Sequence, residues 1–181
     1  MPMPSNHHRR SIRLPHFDYS SDGMYFLTIC AHNRECAFGA ISNGQMVLNE
    51  SGRIITDTWK WLEQQYHFVH LYEWVAMPNH FHGIIMIDRM GGDCRGGSRT
   101  APTNNQKIKP LGRLVGAFKT VSTKHINTLR KTPGAIVWQR NYYEHIIRDD
   151  DDLNRICEYI INNPARWADD ENNPLNINNR Q

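Results

Sequence analysis

The chain has 181 residues, 39% hydrophobic and 22% charged, with 21 Lys+Arg against 18 Asp+Glu, and its 5 Trp, 7 Tyr and 6 Phe exclude a disordered chain. That length suits one domain with a single core, and no apolar run approaches the roughly 18 residues of a membrane span. The basic amino terminus lacks the apolar stretch of a secretory signal, and Cys30, Cys36, Cys94 and Cys157 have no metal-finger spacing, so a reduced, cytoplasmic protein is expected.

Residues 1–23 read as a basic arm carrying Arg9, Arg10 and Arg13. Met24 to His32 is aromatic and β-branched, the composition of a strand. Gly44 to Val47 follows a Ser-Asn-Gly turn and reads as a short second strand. From Glu50 to about Tyr66, Ile55, Trp59, Leu62 and Tyr66 recur at three- and four-residue steps, which predicts an amphipathic helix. Val69–Ala76 and His80–Asp88 read as two strands of a hairpin about the Pro78-Asn79 turn. Residues 89–110 are rich in Gly, Ser and Asn without an apolar period, and are expected to be a flexible insertion. Leu111, Leu114, Val115, Phe118, Val121, Ile126 and Leu129 form the apolar face of a second long helix. Tyr142 to Arg148 reads as a strand, and Asp149 to Asn163 as a third helix stopped by Pro164.

This order predicts an α+β fold, a ferredoxin-like (RRM-like) antiparallel sheet with helices packed on one face. The domain is expected over 24–167, followed by a polar tail over 168–181. In the 80–88 strand, Phe81, Ile85 and Ile87 point one way and Ile84 and Met86 the other, which predicts a central position in the sheet.

Charge is segregated along the chain. Residues 89–140 hold eleven basic side chains and a single acid, Asp93, whereas 149–171 hold eight acids, four of them in the run Asp149–Asp152. Such a basic block beside an acidic one suits a polyanionic partner; a solvated helix with a linker has the same signature.

His80 and His82 stand at i and i+2 of a strand, so both imidazoles leave the same face. That is a natural half-site for a divalent metal, and equally the signature of two polar residues at a solvated strand end. In the last helix the apolar stripe is Leu153, Ile156, Cys157, Ile160 and Ile161. Tyr159 falls on its flank, with Asn163 one turn later and Asp152 two turns earlier on the same side. A tyrosine there either snorkels from the core or is presented for chemistry.

Taken together, YEWVAMPNHFHGIIMI, VWQRNYYEHIIRDDDDL and EYIINNP resemble the HUH-type single-strand DNA transposases, and within them the REP-associated tyrosine transposases. The opening RRSIRLPHFDYSSDGMYFLTICAHNRECAFG is similar to the same branch, and the resemblance spans roughly residues 9–167 apart from the insertion. It implies that His80 and His82 are the metal-binding histidines of the HUH motif, that Tyr159 is the nucleophile, and that Asn163 is the further metal ligand. It also implies a ferredoxin-like fold and a Mg²⁺ or Mn²⁺ cofactor. The partner would be single-stranded or hairpin DNA, cut and rejoined through a covalent 5′-phosphotyrosine, with REP-type repeats as the target. Arg9, Arg10, Arg13, Arg113, Lys119, Lys124, Arg140 and Arg148 are then candidate phosphate contacts, and His145 a candidate assistant to the site. Monomer and homodimer both occur among such enzymes, and the place of action would be the cytoplasm, at the nucleoid. Two rival readings keep parts of this picture: a phosphodiesterase in which water attacks while Tyr159 packs, and a hairpin-binding protein without turnover. A structural zinc protein fails for want of a tetrahedral ligand set.

Overall fold

Strand β1 (Gly23–Cys30) alternates its side chains between two packed faces. Tyr25, Leu27 and Ile29 are fully buried on one side, and Phe26 is buried on the other. The computed structural model describes residues 22–88 and 109–177. The arm with Arg9, Arg10 and Arg13, and most of the expected 89–110 insertion, therefore lie outside the described residues.

After β1 come a hairpin of β2 (Gly39–Ser42) and β3 (Gln45–Leu48), then helix α1 (Glu50–Gln65) and strands β4 (Val69–Ala76) and β5 (His80–Ile87). Helix α2 (Leu111–Arg130), strand β6 (Tyr143–Ile147) and helix α3 (Asp150–Asn162) follow. The chain then makes a 3-10 turn over Pro164–Asp169 and a short helix α4 (Pro174–Ile177). With the β2–β3 hairpin set aside, the order is βαββαβ. The four long strands lie in the order β4-β5-β1-β6, all antiparallel, which is the ferredoxin-like sheet the sequence predicts.

One local expectation changes. Asn43 and Gly44, with φ of 50° and 72°, form the turn itself, and strands run on both sides of it rather than from Gly44 onward. Positive φ at both central positions is what a tight hairpin demands, and Asn-Gly supplies it.

Helix α1 starts at Asn49, whose side chain accepts from the Gly52 amide at 2.9 Å. Its Ile55, Trp59 and Leu62 are fully buried against Tyr25, Leu27, Ile29, Phe81, Ile85 and Ile87 of the sheet. Helix α2 joins the same layer through Leu111, Leu114, Val115, Phe118 and Ile126. Ser122 is buried on that face beside the half-buried Val121; its hydroxyl donates to the Phe118 carbonyl at 2.7 Å and accepts from Trp138 Nε1 at 2.9 Å. A buried hydroxyl satisfied on both sides is tolerated where an unpaired one would not be. Leu129 is exposed.

Helix α3 packs on the opposite face of the sheet. Where the strand pattern suggested helices on one side only, Ile156 and Ile160 bury themselves against Phe26, Ile84 and Ile147, so both faces are covered. Each such isoleucine is worth about 1.5–3 kcal/mol. The acidic run has a structural role there: Asp149 caps the helix by accepting from the Asp152 amide at 2.8 Å, and Asp150, Asp151 and Asp152 occupy its first turn. Negative charge at that end complements the helix dipole. As the double-sided pattern of the 80–88 segment predicts, β5 is central. Its even-numbered histidines therefore lie beneath α3, not in solvent. Among the described residues no helix is long and apolar enough to cross a membrane.

Gly83 lets α1 approach this strand. A Cβ there would lie 2.7 Å from Trp59 Cζ2 and 2.9 Å from Phe81 Cε1. Gly83→Ala is therefore expected to destabilise the fold by about 1–3 kcal/mol, read as a lowered urea midpoint at unchanged m-value.

Candidate active site

His80 opens β5 immediately after the Met77-Pro78-Asn79 turn, and both it and His82 are buried, at 0% and 1% exposure. The Asn79 carboxamide organises the turn. Its Nδ2 donates to the Arg34 carbonyl at 2.9 Å and to the Asn172 carbonyl at 2.7 Å. Both amide protons are thus used, so Asn79 Oδ1, 2.9 Å from His80 Nδ1, is an acceptor and the imidazole donates to it. The lone pair of His80 is left on Nε2. His82 Nδ1 lies 2.9 Å from Thr28 Oγ1, a hydroxyl able to donate or accept, and the ring also hydrogen-bonds the Leu27 backbone.

The Nε2 atoms of His80 and His82 face each other at 3.0 Å. Burial pushes His80 down to about 3, with the Arg34 charge adding to the effect, and holds His82 well below its ordinary value, with His80 adding. Two neutral imidazole nitrogens this close either share a proton or hold a cation between them. Ligands on adjacent corners of an octahedron with bonds of about 2.1 Å stand about 3.0 Å apart, the separation a small divalent ion requires. Oxygen donors are at hand. Asp170 Oδ2 is 3.8 Å from His80 Nε2 on a side chain only 5% exposed, and the candidate ligand atoms of His80, His82 and Asp170 lie within 4.8 Å of one another. Asn163 is buried, and its Oδ1 has no hydrogen-bond partner. Mixed imidazole and oxygen donors fit a divalent metal, and the buried amide oxygen without a hydrogen-bond partner is a further donor of that kind.

Tyr159 stands 41% exposed on the flank of α3, as its spacing predicts, with its hydroxyl 3.3 Å from His82 Nε2. Its ring meets Phe26 edge-on at 6.0 Å, and Phe26 stacks on His82 at 5.4 Å, so one aromatic platform sets both side chains. Burial raises the Tyr159 phenol above its usual 10, as do Asp170 and Glu171, while a hydrogen bond with Asn163 opposes the shift. Two clefts meet at this tyrosine. One, of about 480 Å³, is lined by Arg34, His82, Gln139, Asn141 and Asn172; the other, of about 420 Å³, by Tyr143, His145, Arg155 and Arg166.

The basic candidates separate into groups. Lys119 donates to the carbonyls of Gln139, Arg140 and Asn141 at 2.8, 3.3 and 3.0 Å, and burial pushes it down to about 8. Its three protons are committed to fastening that loop, which corrects its reading as a phosphate contact. Arg113 and Lys124 are exposed on α2, across the sheet from the imidazoles, so the fold does not bring them to this site. Arg140 and Arg148 are exposed at the ends of the segment containing β6. His145 lines the second cleft with its Nε2 2.7 Å from Asp152 Oδ2, and Arg155 holds the other Asp152 oxygen.

Four members of the site were not singled out from the sequence: Thr28, Arg34, Asn79 and Asp170. Asn79 carried a signal, as the residue preceding the His-Phe-His run in a tight turn. Asp170 carried none, because an acid in Ala168-Asp169-Asp170-Glu171 looks like any solvated acid until the Pro164–Asp169 turn folds it back.

The buried imidazoles have a consequence for stability. An unfolded chain protonates its histidines near 6.5, whereas His80 in the fold resists protonation down to about 3. Between those values the unfolded state binds more protons, so metal-free protein loses stability as pH falls through the window. Urea unfolding across that range is expected to show stability rising with pH, with a shallower slope in His80→Gln.

No family model matches the chain. An uncharacterised protein of Haemophilus influenzae is 45% identical over 170 residues, covering 91% of this chain and 93% of its own. A second protein of the same organism, named "Putative REP-associated tyrosine transposase", is 26% identical over 152 residues, covering 82% of this chain and 74% of its own. Among solved structures, a REP-associated tyrosine transposase bound to a REP hairpin shares the fold with a TM-score of 0.57 at 17% identity, over 86% of this chain and 73% of that one. The chain is thus similar in sequence to one protein named as a REP-associated tyrosine transposase and in fold to another, which supports a transposase-type, DNA-processing function.

Proposed function

We propose that this protein nicks and rejoins single-stranded DNA at hairpin-forming repeats, with Tyr159 as the nucleophile and a covalent 5′-phosphotyrosine as the intermediate. The observation that carries the reading is the Tyr159 hydroxyl at 3.3 Å from His82 Nε2, beside two imidazoles whose Nε2 atoms face each other at 3.0 Å. His80, His82 and Asn163, with Asp170 within reach, would hold Mg²⁺ or Mn²⁺, which when bound supplies a Lewis acid to the scissile phosphate. The Tyr159 oxygen attacks phosphorus, the bond to the 3′ oxygen breaks, the phenolic proton is lost, and the 3′ oxygen takes one up. A free 3′-hydroxyl later attacks the phosphotyrosine and restores both partners, so joining needs no external energy.

The raised phenol means that Tyr159 needs assistance to lose its proton in the attack. Asn79 fixes the tautomer of His80, and Thr28 helps to orient His82. Arg140, Arg148 and the amino-terminal arm are our candidates for tracking the backbone, and the half-exposed Tyr143 beside Tyr159 offers a face for an unpaired base. The hairpin preference draws on the related structure, which was solved with a REP hairpin. We place this activity in the cytoplasm, at the nucleoid.

The test is incubation with hairpin oligonucleotides taken from the DNA flanking the gene, with Mn²⁺, resolved on a denaturing protein gel. A shifted protein–DNA band is expected, absent with chelator and absent in Tyr159→Phe. Asn79→Ala is expected to lower its yield by about 10–100-fold, the usual effect of removing the group that orients a metal-binding histidine. Cleavage that persists in Tyr159→Phe would show that water attacks, and retarded but uncut DNA would leave a hairpin-binding protein.

A further inference from the structure

We infer that Arg34 is a further catalytic residue, binding a nonbridging oxygen of the scissile phosphate in the cleft it shares with His82 and Tyr159. The inference rests on the nicking-and-joining reading above.

Arg34 ends the short 3-10 turn His32–Arg34 that follows β1, and it sits there under constraint. Both Asn33 and Arg34 have left-handed backbones, with φ of 52° and 55°, a conformation that L residues adopt at an energetic penalty. Such strain persists only where the surroundings over-determine it. Here they do. The Arg34 amide donates to the Ala31 carbonyl at 3.1 Å, the His32 amide to the Val137 carbonyl at 2.8 Å, and the Arg34 carbonyl accepts from Asn79. Asn79 is also the residue that fixes His80. One buried carboxamide therefore sets a metal-site histidine and an arginine together, an arrangement that packing alone does not require.

The side chain points to the same place. Its Nη1 donates to Asn172 Oδ1, and it lines the cleft with His82 and Tyr159. Among the described residues lining this cleft, Arg34 is the one cation. Arg155 and Arg166 line the neighbouring cleft, and Lys119 is fastened to carbonyls. A guanidinium has five donors in a planar fork, so one bond to Asn172 leaves capacity for a phosphate edge.

The chemistry calls for such a group. As the Tyr159 oxygen bonds to phosphorus and the 3′ oxygen leaves, negative charge gathers on the nonbridging oxygens. The phenolic proton departs to solvent and the 3′ oxygen recovers one from it, so charge on those oxygens is what a fixed cation must meet. A guanidinium already held in position does so without reorganising.

A purely structural role makes a different prediction, because the bond from Arg34 to Asn172 could serve only to anchor the chain after Asp170. Arg34→Ala, Arg34→Lys and Asn172→Ala are therefore compared in single-turnover adduct formation on a hairpin oligonucleotide with Mn²⁺. Hairpin affinity is read separately by fluorescence anisotropy, and folding by urea unfolding. Arg34→Ala is expected to slow adduct formation by about 10²–10³-fold with affinity changed only a few-fold, and with partial recovery in millimolar methylguanidinium. Arg34→Lys should retain an intermediate rate, and Asn172→Ala, which removes the bond that positions the guanidinium but leaves the charge, should lose clearly less than Arg34→Ala. Adduct formation in Arg34→Ala close to the wild-type rate, or a loss in Asn172→Ala as large as that in Arg34→Ala, would overturn the inference alone. Wild-type protein that forms no adduct would overturn the nicking reading and this inference with it.

Discussion

Two imidazole nitrogens face each other across 3.0 Å inside the protein. Neither ring is free to turn. Asn79 accepts from one ring, Thr28 and the Leu27 backbone hold the other, and Phe26 stacks on the second. Asn79 cannot turn its carboxamide over, because both of its protons are bonded to carbonyls from distant parts of the chain. The pair is thereby kept in an arrangement that favours a bound cation, and the remaining features of the site follow from it: the orphaned Asn163 oxygen, the Asp170 carboxylate, and a tyrosine within hydrogen-bond reach.

The fold supplies this constraint because β5 is central and covered on both faces. Phe81, Ile85 and Ile87 anchor it to α1 and α2, which fixes the strand's rotation and sends His80 and His82 to the other side. Helix α3 then closes that side through Ile156 and Ile160, and the angle between its buried stripe and Tyr159 brings the phenol to His82. A one-residue slip of β5 would bury the imidazoles against α1 and α2 and abolish the site, since strand faces alternate with period two. Burial also sets the electrostatics. It keeps the imidazoles neutral and raises the phenol, so one environment sets the protonation of both.

Much of this was readable from residue patterns, and what was not has physical reasons. Period two in the 80–88 segment and period 3.6 in the last helix placed His80, His82 and Tyr159 on the right faces, because local geometry alone decides those directions. Which side of the sheet receives α3 is not a local property, so the helix was expected alongside the other two. Lys119 looked like a phosphate contact because composition registers a charge but not the three carbonyls around it. Asp170 lies in a polar stretch whose return to the sheet depends on the turn after Pro164, and Arg34 depends on a strained turn held by residues far away in sequence. Tertiary hydrogen bonds of this kind leave no periodic trace.

Occupancy of the space between His80 and His82 tests the account most directly. Crystals grown with Mn²⁺ and measured at an anomalous wavelength are predicted to show one strong peak within bonding distance of both Nε2 atoms, with the Asn163 oxygen turned toward it. A pair of imidazoles sharing a proton, with no peak between them at saturating Mn²⁺, would contradict it.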